Sequence, residues 1–307
     1  MKRIVLGIVL ALVALVVILN WTWGRLPSEP ARTGRLIELG DTKVRVLEHP
    51  GKDPAVVLIH GLPGTAQDFD DVTALLPGRH TIAFDRPGFG YSSGGYHPFA
   101  EQLATLDELL AELDAQRAVL VGHSYGGTLA LAYAARRPQA VRGLVLVDAA
   151  AGGERTGGFE RAQASFIQFL SWPVVQPIAD VTFSQLVRTA SAKQGDAQAF
   201  DPGDVDPTHE QRLLAHNMRH EDLDAYAGEE HEANDVFERV DARLATIDTP
   251  AVVIQGAGDK RVTPEHGRRI AATLPHARLV MVNGGHMAPY VHPGVVAAAT
   301  RELLAQR

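Results

Sequence analysis

The chain of 307 residues contains no cysteine. This absence excludes disulfide bonds, thiolate metal sites and a cysteine nucleophile. The chain also lacks an excess of basic residues, because 29 lysines and arginines stand against 36 aspartates and glutamates, for a net charge of −7. Nucleic-acid-binding proteins carry basic patches, so this balance argues against a nucleic-acid partner. The hydrophobic share of 46% and the charged share of 21% are typical of a globular protein.

A charge-free apolar run stands near the N-terminus, over residues 4–19. It spans roughly 24 Å, and residues 20–23, with two tryptophans, extend it toward the roughly 30 Å of a bilayer core. Lys2 and Arg3 precede the run, and such positive flanks favour the cytoplasmic side. The sequence therefore predicts a single-pass membrane anchor over residues 1–26, with a cytoplasmic N-terminus and the rest of the chain outside the cytoplasm. The alternatives are a cleaved signal peptide, which would make the protein secreted, and a buried core helix.

Short apolar runs rich in β-branched residues recur along the rest of the chain and predict buried strands. These runs cover residues 55–59, 81–84, 118–121, 144–147, 251–254 and 279–282. Helical patterns over residues 65–76, 99–113, 264–274 and 295–305 alternate with them. This alternation indicates an α/β protein with a mostly parallel sheet covered by helices on both faces. An antiparallel hairpin over residues 35–39 and 43–49 is expected to precede it.

Residues 152–245 interrupt the alternation, because they contain no clear strand run. Helices are expected there over residues 159–170, 174–191, 207–220 and 236–244. Several of the chain's aromatic residues lie in this segment, namely Phe159, Phe166, Phe169, Trp172 and Phe183. We interpret the segment as a helical cap inserted between residues 27–151 and 246–307, which together form the core domain. A second independent domain is the alternative.

Gly122-His123-Ser124-Tyr125-Gly126 is a G-x-S-x-G motif between a predicted strand and a predicted helix. In this context the serine occupies a sharp, strained turn that exposes its hydroxyl group. Glycine is expected two residues on either side because larger side chains would collide across the turn. Ser124 is therefore the candidate nucleophile, and an incidental serine in a glycine-rich turn is the alternative.

Asp259 and His286 each follow a later predicted strand through a glycine-rich loop. Ligands bind at the carboxyl ends of strands in an open parallel sheet, and serine, aspartate, histidine is the chain order of a triad on such a sheet. His286 would accept the serine proton, and Asp259 would orient the imidazole and stabilise the imidazolium. Asp148, which follows the strand over residues 144–147, is the alternative acid.

The loop over residues 60–64, His-Gly-Leu-Pro-Gly, follows the first central strand. In such sites an oxyanion hole is formed by one backbone N–H just after the nucleophile and one from this earlier loop. These are the N–H groups of Tyr125 and Leu62, since Pro63 has none. His60 is expected to be structural.

Several segments together resemble the α/β-hydrolase superfamily, in its capped and carboxylesterase-like branch. They are VVLIHGLPG (56–64), AFDRPGFGYS (83–92), VLVGHSYGGTLAL (119–131), VLVDAA (145–150), VVIQGAGDKRVTP (252–264) and VNGGHMAPYVHP (282–293). The resemblance implies an α/β-hydrolase fold with catalysis by Ser124, His286 and Asp259, without cofactor or metal. It also implies that Asp85 and Arg86 fix a loop.

The resemblance implies a serine hydrolase that cleaves a small-molecule acyl ester through an acyl-enzyme. A serine nucleophile disfavours haloalkane dehalogenase and epoxide hydrolase chemistry. Leu62 and Tyr125 differ from the glycine and tryptophan usual in prolyl aminopeptidases, and His123 differs from the asparagine common in carbon–carbon bond hydrolases. Lactonase, carbon–carbon bond hydrolase, aminopeptidase and cofactor-free perhydrolase activities stay open, as does a non-catalytic ligand-binding protein on the same fold.

Two polar groupings in the cap segment admit a second interpretation. His216 and His220 lie four residues apart and could bind a metal from one helix face, but a solvated face is expected because no further ligand is assigned. Glu229, Glu230 and Glu232 are also expected to be solvated, with an amine-recognising cap as the alternative.

Overall fold

Eight strands form one sheet in the computed structural model, which describes residues 2–23, 27–28, 31–152, 162, 165–166, 168–170, 172, 174–216 and 219–306. The strands are β1 (Arg35–Leu39), β2 (Thr42–His49), β3 (Lys52–Ile59), β4 (Arg79–Phe84), β5 (Ala118–His123), β6 (Val141–Val147), β7 (Ala251–Gly256) and β8 (Ala277–Val282). Their order in the sheet is β1-β2-β4-β3-β5-β6-β7-β8. The pairs β1–β2 and β2–β4 are antiparallel, and every pair from β4 to β8 is parallel. The predicted hairpin and mostly parallel sheet are therefore confirmed.

One helix precedes the sheet in the chain, and most of the others lie between its strands. The helices are α1 (Lys2–Trp23), α2 (Asp70–Ala74), α3 (Phe99–Glu112), α4 (Tyr125–Arg136), α5 (Gln176–Thr182), α6 (Ser184–Phe200), α7 (Pro207–His216), α8 (His220–Asp241), α9 (Pro264–Thr273), α10 (Ala288–Val291) and α11 (Pro293–Ala305). The helix predicted over residues 65–76 is instead a 3-10 turn, Ala66–Phe69, followed by the short α2.

The central strands are buried on both faces, as their continuous apolar runs predict. Successive side chains of a strand point to opposite faces, so each strand contributes to two clusters. Val57 and Leu120 belong to the cluster that also contains Leu106 of α3. Val56 and Val119 belong to the cluster on the other face, under α11. Burying a side chain of this size stabilises the fold by roughly 1.5–3 kcal/mol, so these two clusters hold the helices on the sheet.

Helices α5 to α8 lie between β6 and β7 in the chain, in the segment that we interpreted as a cap. The single helix predicted over residues 174–191 is wrong, because the chain breaks at Phe183, whose φ and ψ are −143° and −10°. The Asp180 side chain binds the Ser184 hydroxyl, at 2.7 Å, across this break. The helix predicted over residues 159–170 lies largely outside the described residues. The domain boundaries themselves stay predictions.

Helix α8 is longer than the sequence indicated. Only its end was predicted, over residues 236–244, whereas the helix runs for 22 residues from His220. Its buried positions mix polar residues, such as Asp222, Glu229 and Asn234, with apolar ones, and this mixture obscures the apolar periodicity that reveals most buried helix faces. Glu229 has polar partners, described below, whereas Val236 and Val240 pack into the same hydrophobic cluster as Leu106.

The N-terminal helix α1 has 22 residues, which corresponds to about 33 Å. Its segment Ile4–Thr22 has a mean hydropathy of 2.9, and 6% of that segment is buried. The helix is thus long and apolar enough to cross a membrane, a property shared by membrane anchors and signal sequences.

Candidate active site

Ser124 lies between β5 and α4 with φ of 52° and ψ of −121°. A non-glycine residue with positive φ costs of order 1–3 kcal/mol, so the surrounding packing must hold it there. A Cβ on Gly122 would lie 2.5 Å from the Gly126 carbonyl oxygen. A Cβ on Gly126 would lie 2.2 Å from the Ile59 carbonyl oxygen, on β3. The requirement for glycine is therefore confirmed, although Gly126 is constrained by the neighbouring strand rather than by the turn alone.

His286 bridges Ser124 and Asp259. Its Nε2 lies 2.9 Å from the Ser124 Oγ, and its Nδ1 lies 2.7 Å from the Asp259 Oδ2. All three side chains are buried. The parallel strands end at one edge of the sheet, and this shared edge brings together residues that are up to 162 positions apart.

Asp259 is held in its ionised form. Burial opposes its ionisation, but His286 and the backbone N–H groups of Arg261 and Val262 outweigh burial and lower its pKa. Those N–H groups donate to Oδ1 at 2.8 and 3.0 Å, which leaves Oδ2 for His286. An ionised Asp259 accepts a hydrogen bond from the Nδ1–H of His286, so Nε2 is unprotonated and can accept the Ser124 hydroxyl proton.

The loop over residues 60–64 lies directly beside Ser124. A Cβ on Gly61 would lie 3.1 Å from the Ser124 Cβ, so glycine permits this close approach. Leu62 follows Gly61 and carries the last N–H before Pro63, which has none. Tyr125 is the first residue of α4, where backbone N–H groups have no partner within the helix. His60 is buried, accepts the Arg86 N–H at Nε2 and lies 2.9 Å from the Gly61 oxygen at Nδ1, which fits its expected structural role.

Arg86 connects this loop to α8. Its fully buried guanidinium donates to the carbonyl oxygens of His60 and Gly61, at 3.1 and 2.9 Å. It also binds both carboxylate oxygens of Glu229, at 2.7 and 3.0 Å. Gln102 of α3 completes the group, because its Nε2 donates to Glu229 Oε1 at 2.7 Å. We call Arg86, Gln102 and Glu229 the buried clasp.

The expectation that Glu229 and Glu232 are solvated is wrong. Glu229 is fully buried in the clasp. Glu232 is half-buried and accepts the Phe99 N–H at 2.8 Å and the Tyr125 hydroxyl at 3.3 Å. Nothing in the acidic run over residues 229–232 distinguished these side chains, because their partners are more than 100 residues away in the sequence. Asp85, the neighbour of Arg86, pairs instead with Arg45 at 3.2 Å.

Asp148, the alternative acid, follows β6 and is fully buried. Its Oδ1 accepts the Gly256 N–H at 2.7 Å, and its Oδ2 accepts the Ala288 N–H at 3.3 Å. Burial, with the nearby Asp259 charge, raises the pKa of Asp148 well above its usual range. The carboxyl group therefore joins the end of β7 to the start of α10, whereas Asp259 is the group that bonds to His286.

Among the described residues, His123, Asp148 and His286 are close enough to be considered as a metal site, with ligand atoms within 4.8 Å of one another. Both ring nitrogens of His286 already lie against Ser124 and Asp259, and Asp148 accepts backbone N–H groups. His123 Nε2 lies 2.8 Å from the His286 carbonyl oxygen. These contacts give the three side chains a structural use without an ion.

His216 and His220 do not share a helix face. The helix predicted over residues 207–220 is confirmed over Pro207–His216, but its extension to His220 is wrong, because His220 begins a separate helix, α8. The buried His216 ring instead contacts Tyr91 edge-on, with centroids 4.8 Å apart. The helical metal-binding geometry that the spacing allowed is therefore absent.

A strained serine after a parallel strand, followed by a helix, defines a class of α/β protein with a nucleophile elbow. The family model for the alpha/beta hydrolase fold matches residues 54–293, and the chain belongs to this family.

Known relatives agree with this assignment. The poly(3-hydroxyalkanoate) depolymerase of Ectopseudomonas oleovorans is 26% identical over 277 residues, which are 89% of this chain and 92% of that protein. The pimeloyl-[acyl-carrier protein] methyl ester esterase of Neisseria meningitidis serogroup B is 30% identical over 271 residues, with coverages of 81% and 92%. The crystal structure of a membrane phospholipase A, a bacterial virulence factor, matches with a TM-score of 0.69 and 22% identity over 99% of this chain and 98% of that chain. The relatives support a hydrolase, and the structural match shows the fold.

Proposed function

We propose that the protein is a serine hydrolase that cleaves a carboxylic ester of a small molecule through an acyl-enzyme. The observation that carries the proposal is the bridge formed by His286 between Ser124 and Asp259, at 2.9 and 2.7 Å. A serine hydroxyl is a weak nucleophile at neutral pH unless a base accepts its proton. In this arrangement the base already lies at hydrogen-bond distance from the serine and from an ionised carboxylate.

The chemistry has two halves. Ser124 Oγ attacks the ester carbonyl carbon as its proton moves to His286 Nε2, and the N–H groups of Leu62 and Tyr125 stabilise the resulting oxyanion. The C–O bond of the ester then breaks, and the leaving alcohol takes the proton from His286. A water molecule then attacks the acyl carbon and gives its proton to His286. The bond between the acyl carbon and Ser124 Oγ breaks, Ser124 takes the proton back from His286, and the acid is released. No cofactor or metal enters any step.

The proposed bond type is supported by one relative in particular, which is by name a methyl ester esterase, 30% identical over 271 residues. A serine site of this kind also acts on lactones, amides and peracids in similar proteins. No contact described above favours one of these over an ester. The involvement of Glu229 in the clasp removes it as an amine-recognising group in an aminopeptidase-like cap.

We further propose that α1 anchors the protein in a membrane, with the N-terminus cytoplasmic and residues 27–307 outside. The length and hydropathy of α1 support an anchor, and Lys2 supports this orientation. A reporter fused after the C-terminal residue should behave as extracytoplasmic. A cytoplasmic reporter signal contradicts the orientation, and a mature chain that begins after residue 23 supports the signal-peptide alternative.

The test of the catalytic proposal is covalent labelling by a fluorophosphonate probe. The wild-type chain should be labelled, and the Ser124→Ala variant should not. Ser92→Ala is a matched control, because the Ser92 hydroxyl is buried and donates to the Asp85 carbonyl oxygen at 2.6 Å. Labelling should survive in that variant. Failure to label the wild type, or equal labelling of Ser124→Ala, would refute the proposal and favour a ligand-binding protein.

A further inference from the structure

An apolar surface covers the part of the cap that lies next to α1. Outside α1, ten large hydrophobic side chains are exposed among the described residues, and six of them fall within residues 166–181. They are Phe166, Phe169, Trp172, Val174, Ile178 and Val181. We call these six side chains the apolar cap surface. Soluble monomers rarely expose a contiguous apolar patch of large side chains without a function for it.

The apolar cap surface carries almost no charge. Asp180 is the one charged residue in the sequence from 162 to 182. Its carboxylate is neutralised by Arg188, at 2.7 Å, and accepts the Ser184 hydroxyl. Aromatic residues are prominent, and the rings of Phe169 and Trp172 lie 5.6 Å apart. Large apolar and aromatic side chains are typical of the face that an interfacial segment buries in the membrane.

Asn20 fixes the end of α1 against this surface. Asn20 is fully buried, although it lies in the last turn of an otherwise exposed apolar helix. Its amide nitrogen donates to the carbonyl oxygens of Asp180 and Val181, at 2.9 and 3.4 Å. Its amide oxygen accepts the Leu186 N–H at 3.0 Å.

These three hydrogen bonds of Asn20 satisfy backbone groups at the ends of two helices. The carbonyl groups belong to the last turn of α5, and the N–H belongs to the first turn of α6, where helices leave backbone groups without partners. One side chain therefore caps two helix ends at once. The end of α1 and the helices α5 and α6 form one unit, so the depth of α1 in a membrane also sets the depth of the apolar cap surface.

Helix α6 continues from this junction to the candidate active site. Leu186, in its first turn, bonds to Asn20, and the Ala199 carbonyl oxygen accepts the His286 N–H at 2.7 Å. The thirteen residue steps between Leu186 and Ala199 correspond to about 20 Å of helix. The same helix thus touches both the anchor and the loop of the proposed catalytic base.

We infer that the apolar cap surface rests in the lipid interface of the membrane that holds α1, and that the substrate is an acyl ester presented from that lipid phase. The occupant of the surface is lipid because the adjoining helix α1 is itself exposed, apolar and of membrane-spanning length. Both parts of this inference rest on the proposed anchor, and the second also rests on the proposed esterase function.

The first test measures the surface independently of catalysis. The chain has three tryptophans, Trp21, Trp23 and Trp172, so W21F/W23F leaves Trp172 as the sole emitter. The full-length variant is reconstituted in phosphatidylcholine vesicles, with and without lipid brominated near the top of the acyl chains. We expect brominated lipid to quench the Trp172 emission. Emission that brominated lipid does not change overturns the inference, and emission that instead depends on the protein-to-lipid ratio assigns the surface to a second copy of this chain.

The second test uses activity and a matched control. Ile178→Glu places a charge on the apolar cap surface, and Leu75→Glu places one at an exposed leucine of the core domain, 43% exposed. Because a charge in the apolar part of a bilayer is costly, Ile178→Glu should lower hydrolysis of a long-chain ester dissolved in the vesicle bilayer by about tenfold. Its hydrolysis of a water-soluble short-chain ester should stay within about twofold of wild type. Leu75→Glu should change neither rate.

The outcomes separate the two hypotheses. Equal effects of Ile178→Glu on both esters overturn the lipid-delivery inference while leaving the esterase proposal intact. A wild-type chain that hydrolyses neither ester refutes the esterase proposal, and quenching of Trp172 in the same vesicles then still supports the membrane surface.

Discussion

The buried clasp, which joins α8 to α3 and to the loop after β4, gives the sharpest prediction of stability. Glu229→Ala removes a carboxylate that accepts three hydrogen bonds, two from Arg86 and one from Gln102. Arg86 and Glu229 are both fully buried, so the variant leaves a buried guanidinium without its counter-ion. Breaking such a buried pair from one side costs about 3–5 kcal/mol. Glu229→Gln keeps the shape and one acceptor, and should cost less, about 1.5–3 kcal/mol.

Thermal unfolding of the full-length chain in detergent measures this effect. At about 2 °C per kcal/mol for a chain of this length, Glu229→Ala should lower the Tm by about 6–10 °C. Asp235→Asn is the matched control, because Asp235 is an exposed carboxylate on the same helix α8. It should change stability by less than about 0.5 kcal/mol. A Glu229→Ala variant as stable as Asp235→Asn would show that the buried pair contributes nothing, and the reasoning would fail.

The same variant has an expected effect on catalysis. Arg86 donates to the Gly61 carbonyl oxygen, immediately before Leu62, so loss of Glu229 frees the group that holds this loop. Small displacements of a positioned group lower rates by up to about 100-fold, and we expect kcat to fall by about 10- to 100-fold while the enzyme stays folded at low temperature. An unchanged kcat in folded Glu229→Ala protein would show that the buried clasp does not position the loop over residues 60–64 for catalysis.

Three further predictions concern the edge of the sheet. Asp259→Asn should lower kcat by about 10⁴-fold, whereas Asp148→Asn should keep kcat within about tenfold, and the reverse order in steady-state assays would make Asp148 the acid. Gly126→Ala should yield insoluble or unfolded protein by circular dichroism, because its methyl group would meet the Ile59 carbonyl oxygen at 2.2 Å, and a folded, active variant would contradict this. Burial lowers the pKa of His123 to about 3, so its unfolded form binds a proton below about pH 6.5 while the folded form does not, and stability is lost as the pH falls. Between pH 7 and pH 4, the free energy of unfolding of wild type should therefore fall by about 3 kcal/mol more than that of His123→Asn, as measured by denaturant titration. If the two proteins lose equal stability over this range, the lowered pKa of His123 is refuted.

Much of the fold was predictable because its signals are local. Each central strand is an apolar run that is buried on both faces, and the G-x-S-x-G motif carries the glycines that its turn requires. The order of Ser124, Asp259 and His286 along the chain, with the rule that strand ends meet at one edge, predicted three side chains that lie together in the structure. The cap was less predictable. Helix α8 buries polar residues such as Glu229, and a period of apolar residues does not reveal such a face.

The sequence alone could not identify interaction partners that lie far apart in the chain. Glu229 in an acidic run and Asn20 at the end of an apolar helix look like solvent-exposed residues. Glu229 can be buried because the fold brings the Arg86 guanidinium, 143 residues away in the chain, to 2.7 Å from its carboxylate. Asn20 is buried because two helix ends, about 160 residues later, leave backbone groups that it satisfies.

The sequence by itself determined the strands, the elbow at Ser124 and the residues that could serve it as base and acid, because apolar runs, glycines and chain order act locally or through a general rule of parallel sheets. The tertiary structure decided which carboxylate bonds to His286, which polar residues of the cap are buried, and how the cap is joined to the core and to α1. The physical reason is that a buried charge or amide is tolerated only where the fold brings a partner to it, and that meeting is a property of the whole chain.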